Sequence, residues 1–191
     1  MSRPTLVIMA KEPRPGRVKT RLASEIGTVA AAGWVRHRLA RLSRQVSDPR
    51  WATVLAVAPD IAVASRLLPA LPRLAQGSGD LGDRMARVFL SLPRAPILVV
   101  GTDIPAMTRA HVASGLSLAR QHGAVVGPAN DGGFWAVGLD TRRAVPADLF
   151  AGVRWSTEHA LADALRTLPD PGYLPTLSDV DSAADLARLS D

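Results

Sequence analysis

The chain contains no cysteine, and only 4% of its residues are aromatic. Without cysteine it has no disulfide, no thiolate-bound zinc and no cysteine nucleophile. No apolar run approaches the roughly 20 residues that a membrane-spanning helix needs. The short N-terminal apolar run precedes the charged segment, which is the reverse of the order in a signal peptide. We therefore expect a cytoplasmic protein without a membrane partner.

Lysine is scarce as well. The sequence has 23 Lys and Arg residues, of which only Lys11 and Lys19 are lysine, and both lie near the N-terminus. The net charge of +6 suits an anionic partner. Nucleic-acid modules usually combine a basic stripe with interleaved aromatic residues or carry a recognisable motif, and this sequence has neither. We therefore expect a small phosphorylated partner and no nucleic acid, and the sequence is compatible with a homodimer.

Apolar runs alternate with amphipathic helical patterns along the 191 residues. This order predicts an α/β fold, a three-layer sandwich around a mostly parallel sheet. With no repeat or linker, we expect a single domain spanning 1–191. The predicted strands are 4–10, 51–58, 74–76, 96–101, 124–127, 134–139 and 173–177. The predicted helices are 18–46 with a break near Gly27 or Gly33, 60–68, 84–92, 108–122 capped by Thr108, one ending at Leu168 capped by Ser156 or Thr157, and 182–190.

The first predicted strand runs directly into a basic loop. Five cationic side chains crowd this strand-to-helix turn: Lys11, Arg14, Arg17, Lys19 and Arg21. Free backbone N–H groups at the start of a helix, its dipole and nearby cations together favour phosphate. The pattern predicts a phosphate site, and a basic surface loop without a ligand is the alternative.

Other polar motifs follow the predicted strands. Asp103 comes after the strand at 96–101, Asn130 to Gly133 follow the strand at 124–127, and Asp179 and Asp181 follow the last strand. In open α/β sheets, ligands bind beyond the carboxyl ends of the strands. The convergence of these motifs predicts one ligand site at this edge of the sheet.

Asp103 is a candidate metal ligand. Mg²⁺ prefers one or two carboxylates together with phosphate oxygens and water. Asp179 and Asp181 flank Val180, so they share a face of an extended segment and could complete a one- or two-metal site for Mg²⁺ or Mn²⁺. The alternatives are a turn before Pro105 for Asp103, and N-capping of the final helix for the other two.

Two glycine-rich segments are candidates for substrate contacts. Gly132 and Gly133 allow either close approach of a ligand or a left-handed turn. Asp131 could orient a substrate hydroxyl or act as a base, although Asp-Gly is also an ordinary hairpin turn. The glycine run at 77–82 could surround a nucleobase or ribose, with the Gln76 amide supplying hydrogen bonds.

Several familiar schemes are excluded. Val18 stands where a P-loop requires the glycine before its lysine. No G-x-G-x-x-G follows the first strand, and no G-x-S-x-G occurs.

Six ordered motifs between about Thr5 and Leu186 resemble a known family. They are Lys11-x-Pro-x-Pro-Gly-x-Val-Lys-Thr-Arg-Leu22, Gln76-x-x-Gly-Asp-Leu-Gly-x-Arg-Met85, Gly101-Thr-Asp-x-Pro105, Gly127-Pro-x-x-Asp-Gly-Gly133, Trp155-Ser-Thr157 and Asp179-Val-Asp181. Together they resemble bacterial glycosyltransferase-like proteins with the nucleotide-diphospho-sugar transferase fold. The sequence is distantly similar to phospholactate and phosphoenolpyruvate guanylyltransferases and to molybdenum-cofactor nucleotidyltransferases.

The resemblance implies a Rossmann-like α/β/α sandwich with one antiparallel strand, for which we nominate 134–139. In relatives the first loop binds nucleotide phosphates and the acidic residue after the central strand binds a metal, roles that fall on Lys11, Lys19, Arg21 and Asp103. Similarity to the guanylyltransferases adds Asp179 and Asp181 to the metal site. The family often has tyrosine after Asp-Gly-Gly, whereas this chain has Phe134, and Ser182 replaces a common threonine.

From the motifs and the resemblance we predict three groups of site residues. The phosphate and nucleotide group is Lys11, Pro15, Gly16, Lys19, Thr20, Arg21, Gln76, Gly79, Gly82 and Thr102. The substrate group is Asn130, Asp131, Gly132, Gly133, Trp155, Ser156 and Thr157, and the metal group is Asp103, Asp179 and Asp181. Lys19 and Asp131 are the predicted catalytic residues.

The predicted function is a Mg²⁺-dependent transferase that acts on a nucleotide or nucleotide-sugar. Transfer of a sugar from a nucleoside diphosphate is the first hypothesis because of the family resemblance. Nucleotidyl transfer to a small phosphorylated acceptor is the second, because the long basic loop and three carboxylates suit a triphosphate. A non-catalytic protein that binds an anion or nucleic acid is the third.

Overall fold

A computed structural model describes residues 2–180. The predicted closing helix at 182–190 and the candidate ligand Asp181 lie outside the described residues. The strands are β1 (Thr5–Lys11), β2 (Ala52–Ala58), β3 (Arg73–Ala75), β4 (Pro96–Val100), β5 (Ala124–Pro128), β6 (Phe134–Asp140) and β7 (Gly172–Tyr173). The α-helices are α1 (Thr20–Ile26), α2 (Thr28–Val46), α3 (Leu81–Ser91), α4 (Arg109–His122) and α5 (Ala160–Leu165), with a 3-10 helix at Asp60–Ala64.

The seven strands form one sheet in the order β3-β2-β1-β4-β6-β5-β7. β6 is antiparallel to both of its neighbours, whereas the other pairs are parallel. The sheet therefore confirms the predicted mostly parallel α/β architecture and the antiparallel strand nominated at 134–139.

Each face of the sheet carries its own apolar core. Successive β1 side chains point to opposite faces, so Leu6 and Ile8 join one core while Val7 joins the other. Helices α2 and α4 pack on the first face through residues such as Leu42 and Leu116. Helices α3 and α5 cover the second face. The two buried faces give the three predicted layers.

Local sequence signals account for several helix boundaries. Gly27, with φ +88°, separates α1 from α2, as predicted from the glycine in the long helical pattern. Thr108 is the N-cap of α4, as predicted. Helix α3 begins three residues earlier than expected, because Asp80 and Asp83 form a reciprocal capping box at Leu81.

The helix predicted to be capped by Ser156 or Thr157 and to end at Leu168 has both boundaries wrong. Helix α5 begins at Ala160 after His159, with no side-chain cap, and it ends at Leu165. The hydroxyl of Thr157 instead donates to the Arg154 carbonyl (2.7 Å) and accepts from the His159 amide (3.2 Å), so it closes a turn before the helix.

The last predicted strand is shorter than expected. Regular pairing in β7 ends at Tyr173, and Leu177 forms only an isolated bridge with Ala129. Pro175 lies between them and has no N–H to donate, which explains the interruption. None of the helices within residues 2–180 is long and apolar enough to cross a membrane.

Candidate nucleotide and metal site

The order in which strands are added to the sheet reverses between the parallel neighbours β1 and β4. From β1 the chain adds β2 and β3 on one side, and it then returns to place β4 on the other side of β1. Such a reversal opens a crevice beyond the carboxyl ends of the two central strands, where ligands of open α/β sheets bind. The loop that ends at Lys19 and the turn that carries Asp103 leave these two strands, so they border the crevice.

Lys19 and Asp103 form an ion pair in this crevice. The Lys19 ammonium lies 2.9 Å from Asp103 Oδ2, and the lysine side chain is only 11% exposed. Lys19 has φ 45° and ψ 55°, a left-handed conformation that costs a residue with a Cβ roughly 1–2 kcal/mol. Backbone strain of this kind concentrates at functional sites. The structure thus joins the predicted phosphate loop directly to the predicted metal ligand.

Asp103 is held from several directions while its side chain remains 36% exposed. The Thr102 hydroxyl donates to Asp103 Oδ1 (2.9 Å). The Val180 amide donates to the Asp103 carbonyl (3.0 Å), which brings the segment containing Asp179 beside this turn. Two of the three predicted metal ligands therefore lie on contacting segments.

The segment at 177–180 also contacts the loop after β5. The side-chain amide of Asn130 donates through Nδ2 to the Ser178 hydroxyl (2.6 Å). Asp131 Oδ1 accepts from the Gly133 amide (2.9 Å), which closes a local turn and leaves Asp131 exposed. Asn130 is thereby linked to the Asp103 segment, whereas Asp131 is connected to it only through its neighbour.

Gly132 has φ +83°, and a Cβ there would lie 2.3 Å from the Glu158 carbonyl oxygen. Its own carbonyl accepts from the Leu161 amide (3.0 Å). The close approach that requires glycine at this position is thus to the chain's own segment before α5. That contact holds the Asp-Gly-Gly turn, which includes Gly133, against the start of α5.

A basic groove of about 680 Å³ lies along the carboxyl ends of β1 and β2, and the loop that leads to Lys19 forms part of its lining. Its lining combines four cations with one acid and an apolar wall: Lys11, Arg14, Arg17, Arg84, Glu12, Pro15, Ala58, Pro59 and Ile61. Hydrogen bonds, first from Arg14 and then from Ser65, lower the pKa of Glu12. Arg14 is matched by this carboxylate (3.2 Å), so the groove keeps an excess of positive charge.

The other predicted members of the first loop lie along its course from β1 into α1. Pro15 lines the groove, and Gly16 turns the chain beside it with φ +75°. Thr20 is the first residue of α1, and Arg21 is exposed in its first turn.

The segment 76–82 is organised largely by contacts within the protein. The buried Gln76 side chain donates to the carbonyls of Ala10 (3.3 Å) and Ala56 (2.8 Å), which leaves only its amide oxygen as a polar contact for a ligand. A Cβ at Gly79 would lie 2.3 Å from the Asp83 carboxylate, and one at Gly82 would lie 2.8 Å from Phe150 Cβ. Packing thus explains both glycines without a nucleotide.

Trp155 belongs to an aromatic cluster. Its ring makes edge-on contacts with Phe134 (6.0 Å between centroids) and Phe150 (5.9 Å). The Trp155 indole N–H is buried and has no hydrogen-bond partner among residues 2–180. Ser156 has φ 61° and is exposed, and both bonding functions of the Thr157 hydroxyl are used within the turn. The structure therefore places Trp155 in packing, whereas Ser156 and Thr157 are both exposed.

Sequence reasoning missed the apolar and basic wall opposite the first loop. Pro59 and Ile61 follow β2, and Ile61 is 89% exposed. Arg84 lies in the second motif and donates to the Gly79 carbonyl (3.0 Å). Their position after the second and third strands was an available signal, since those strands also end at the ligand edge. Sequence reasoning also gave no role to Arg38 of α2.

The donor set fits a hard divalent cation that shares its shell with phosphate. Within residues 2–180 no three Asp, Glu, His or Cys side chains cluster as a protein-only metal site would require. Mg²⁺ needs only one or two carboxylates when phosphate and water supply the other ligands. Asp103, partly exposed and paired with the Lys19 ammonium, meets that requirement, and Asp179 lies on the adjoining segment.

Solved structures share this architecture. A protein from Desulfovibrio desulfuricans G20, provisionally assigned as a nucleotide-diphospho-sugar transferase, is 28% identical, with a TM-score of 0.84 and coverage of 99% of this chain and 87% of that one. The manganese complex of Rv0371c from Mycobacterium tuberculosis H37Rv is 16% identical, with a TM-score of 0.56 and coverage of 98% of both chains. The 4-diphosphocytidyl-2C-methyl-D-erythritolsynthase from Anaerococcus prevotii DSM 20548 is 10% identical, with a TM-score of 0.59 and coverage of 100% and 99%.

These likenesses confirm the predicted nucleotide-diphospho-sugar transferase fold. The 28% identical relative bears out the prediction of an enzyme of the transferase class. No curated protein matches the chain at a significant level. The family model described as "uncharacterized protein conserved in bacteria (DUF2064)" matches residues 41–157, more than half of the chain, and the chain therefore belongs to this family.

Proposed function

We propose that the protein is a divalent-metal-dependent transferase that uses a nucleotide-activated donor, in the first instance a nucleoside diphosphate sugar. The observation that carries the proposal is the Lys19–Asp103 ion pair, in which the lysine side chain is only 11% exposed. It lies where the strand order reverses, and the loop that leads to Lys19 lines a basic groove. The 28% identical relative assigned as a nucleotide-diphospho-sugar transferase supports the choice of donor. The sequence also favours a cytoplasmic location, which stays a prediction.

The donor phosphates would lie between the groove and the ion pair. Lys11, Arg17 and Arg84 would bind the outer phosphate oxygens, while the Lys19 ammonium would approach the oxygen of the bond that breaks. Asp103 and Asp179 would hold Mg²⁺ or Mn²⁺, which neutralises phosphate charge when bound. Fixed positive charge aimed at the leaving group stabilises the transition state more than the ground state.

In sugar transfer, an acceptor oxygen forms a bond to the anomeric carbon and the bond to the β-phosphate oxygen breaks. The nucleoside diphosphate leaves with the electron pair. Asp131, exposed on its turn, would orient the acceptor hydroxyl and take its proton, and Asn130 would position that turn through Ser178.

Nucleotidyl transfer is the second candidate, and the charge of the groove favours it. Four cations line the groove, more than a diphosphate alone requires. In this reaction a phosphate oxygen of the acceptor attacks the α-phosphorus and pyrophosphate leaves. A manganese-bound structure and a cytidylyltransferase-type synthase occur among proteins with the same fold.

The two reactions are separated by their leaving groups. The full chain is incubated with Mg²⁺ or Mn²⁺ and a panel of nucleoside triphosphates, UDP-sugars and GDP-sugars, together with sugar, polyol and phosphorylated-acid acceptors. Release of nucleoside diphosphate supports sugar transfer, whereas release of pyrophosphate supports nucleotidyl transfer. If no donor in the panel turns over or stabilises the protein against heat, the proposal is wrong. Salt-sensitive binding to random DNA would then favour the non-catalytic alternative.

A further inference from the structure

Arg38 lies on the face of α2 that points into the protein. Val35 and Leu42, one turn before and after it, are both buried, and Arg38 itself is only 7% exposed. Its helix neighbours Arg36 and Arg41 are exposed. An aliphatic side chain would satisfy the amphipathic pattern at this position, so the arginine needs another explanation.

The Arg38 guanidinium contacts the turn that carries Asp103. Its Nη2 donates to the Ile104 carbonyl (2.6 Å). Among residues 2–180, its buried Nε has no hydrogen-bond partner, and no carboxylate lies within ion-pair distance of the guanidinium. The Ile104 carbonyl also accepts from the Met107 amide (3.3 Å), so the turn does not need the arginine to satisfy this oxygen.

This arrangement is costly for stability. A buried, incompletely hydrogen-bonded charge loses its hydration, and replacing such groups with apolar ones is often neutral or stabilising. Burial lowers the pKa of Arg38, as does Arg41, while the negative charge of Asp103 opposes the shift. Arginine nevertheless remains charged. A residue kept at a cost in stability, and in contact with a candidate site, is better explained by the site than by the core.

We propose that Arg38 is a positioning residue of the candidate site: it anchors the backbone at Ile104 and thereby holds Asp103 in the orientation that binds the metal. The inference rests on the proposed function, since it takes Asp103 as a metal ligand. It assigns no contact with substrate to Arg38.

The test uses the sign of the effect. R38M is made in the full chain, and binding of Mn²⁺ alone is measured by the loss of the free-ion EPR signal. Electrostatics alone predicts tighter Mn²⁺ binding, because a nearby positive charge is removed. Positioning predicts the opposite, and loss of an outer-shell partner typically weakens metal affinity about 10-fold or more. The melting temperature of R38M should be unchanged or raised.

Two variants make the result specific. R36M removes the same charge from the exposed side of α2 and should bind Mn²⁺ like the wild type. R38K keeps a charge and a donor, and its affinity should fall between those of the wild type and R38M. If R38M does not fold, the comparison of R38K with R36M decides the question.

Three outcomes would count against the inference. Equal or tighter Mn²⁺ binding by R38M overturns it while leaving the proposed function standing. An R38K affinity no better than that of R38M, or a lower affinity accompanied by a comparable loss of thermal stability, shows a purely structural role. If the wild type binds Mn²⁺ neither alone nor in the presence of a nucleoside triphosphate or diphosphate, both the metal role of Asp103 and the inference built on it are removed.

Discussion

Lys19 combines backbone strain, burial and an ion pair in one residue. Its ammonium forms an ion pair with Oδ2 of Asp103, and we propose this same carboxylate as a metal ligand. Binding of a metal to that oxygen must displace the ammonium, and donor phosphates offer the displaced charge a new partner. The metal and the nucleotide should therefore bind more tightly together than either binds alone.

Replacing Lys19 with methionine should separate these two effects. Charged hydrogen bonds contribute about 1.5–3 kcal/mol, so affinity for the Mg²⁺-nucleotide should fall roughly 10- to 100-fold in K19M. Affinity for Mn²⁺ alone should rise, because no ammonium competes for Asp103. Calorimetry measures the first and EPR the second.

K19R is the control because it keeps the charge and should retain much of the nucleotide affinity. Unchanged nucleotide binding in K19M would show that Lys19 does not contact phosphate. The opposite effects expected on Mn²⁺ binding in K19M and R38M distinguish a competing cation from a positioning one.

At the scale of elements, Asp163 connects α5 to the segment that carries Trp155 and Ser156. Its carboxylate is 1% exposed and pairs with Arg154 (2.7 Å) and Arg166 (3.2 Å). The hydrogen bond from the Arg154 side chain, and then that from its backbone amide, holds the pKa of Asp163 well below its usual range. These ion pairs stabilise the segment around the short helix α5.

The depressed pKa of Asp163 predicts a pH-dependent stability. The unfolded chain binds a proton near pH 4, whereas the folded protein resists protonation, so this contribution is present above about pH 4 and is lost as the pH falls through the folded value. D163N should lower the free energy of unfolding at pH 7, and its deficit should shrink below pH 4. Urea unfolding at pH 7, 5 and 3 measures the difference.

D148N is the matched control, because Asp148 is exposed and forms no ion pair among residues 2–180. Its effect should be small at every pH. A D163N deficit that stays constant between pH 5 and pH 3 would contradict the ion-pair explanation and would point to packing at this position.

At the scale of the molecule, the fold brings residues from both halves of the sheet to one edge. The basic groove belongs to the side of β1 that carries β2 and β3, and Asp103 belongs to the side that carries β4. A ligand that spans both sides links them across the reversal of the sheet. Binding of such a ligand should therefore stabilise the whole fold.

A donor nucleotide with Mg²⁺ at about 100 times its dissociation constant should stabilise the folded state by about 2.7 kcal/mol. For a chain of this size that corresponds to a rise in melting temperature of roughly 5–11 °C. EDTA should remove most of this rise, since the metal and the phosphates share one site. Thermal-shift scans with nucleotide, Mg²⁺ and EDTA, singly and combined, measure the effect.

Sodium sulfate at matched ionic strength is the control for nonspecific anion binding to the basic loop. A shift of the same size with nucleotide in EDTA would show that binding is independent of the metal. The groove alone would then account for nucleotide affinity, and Asp103 would have another role.

Local sequence patterns determined most of the fold. Alternating apolar runs specified the strands, Gly27 ended a helix and Thr108 began one, because these signals depend on neighbouring residues alone. They failed where long-range contacts decide, as at α5, whose start follows a turn held by Arg154 and Asp163. The carboxyl-edge rule also indicated the region of the candidate site, since it requires only the order of strands.

The arrangement within that region was decided by tertiary structure. No periodicity pairs Lys19 with Asp103, because the two residues are far apart in the chain and meet only when β1 and β4 become neighbours. In sequence Arg38 cannot be told from its exposed neighbours. Only the folded chain brings the Ile104 carbonyl to its guanidinium. Glycine at 132 is likewise explained by Glu158, which approaches it only in the folded chain. Residue types reveal which chemistry is available, but distances between remote residues depend on how the sheet is assembled.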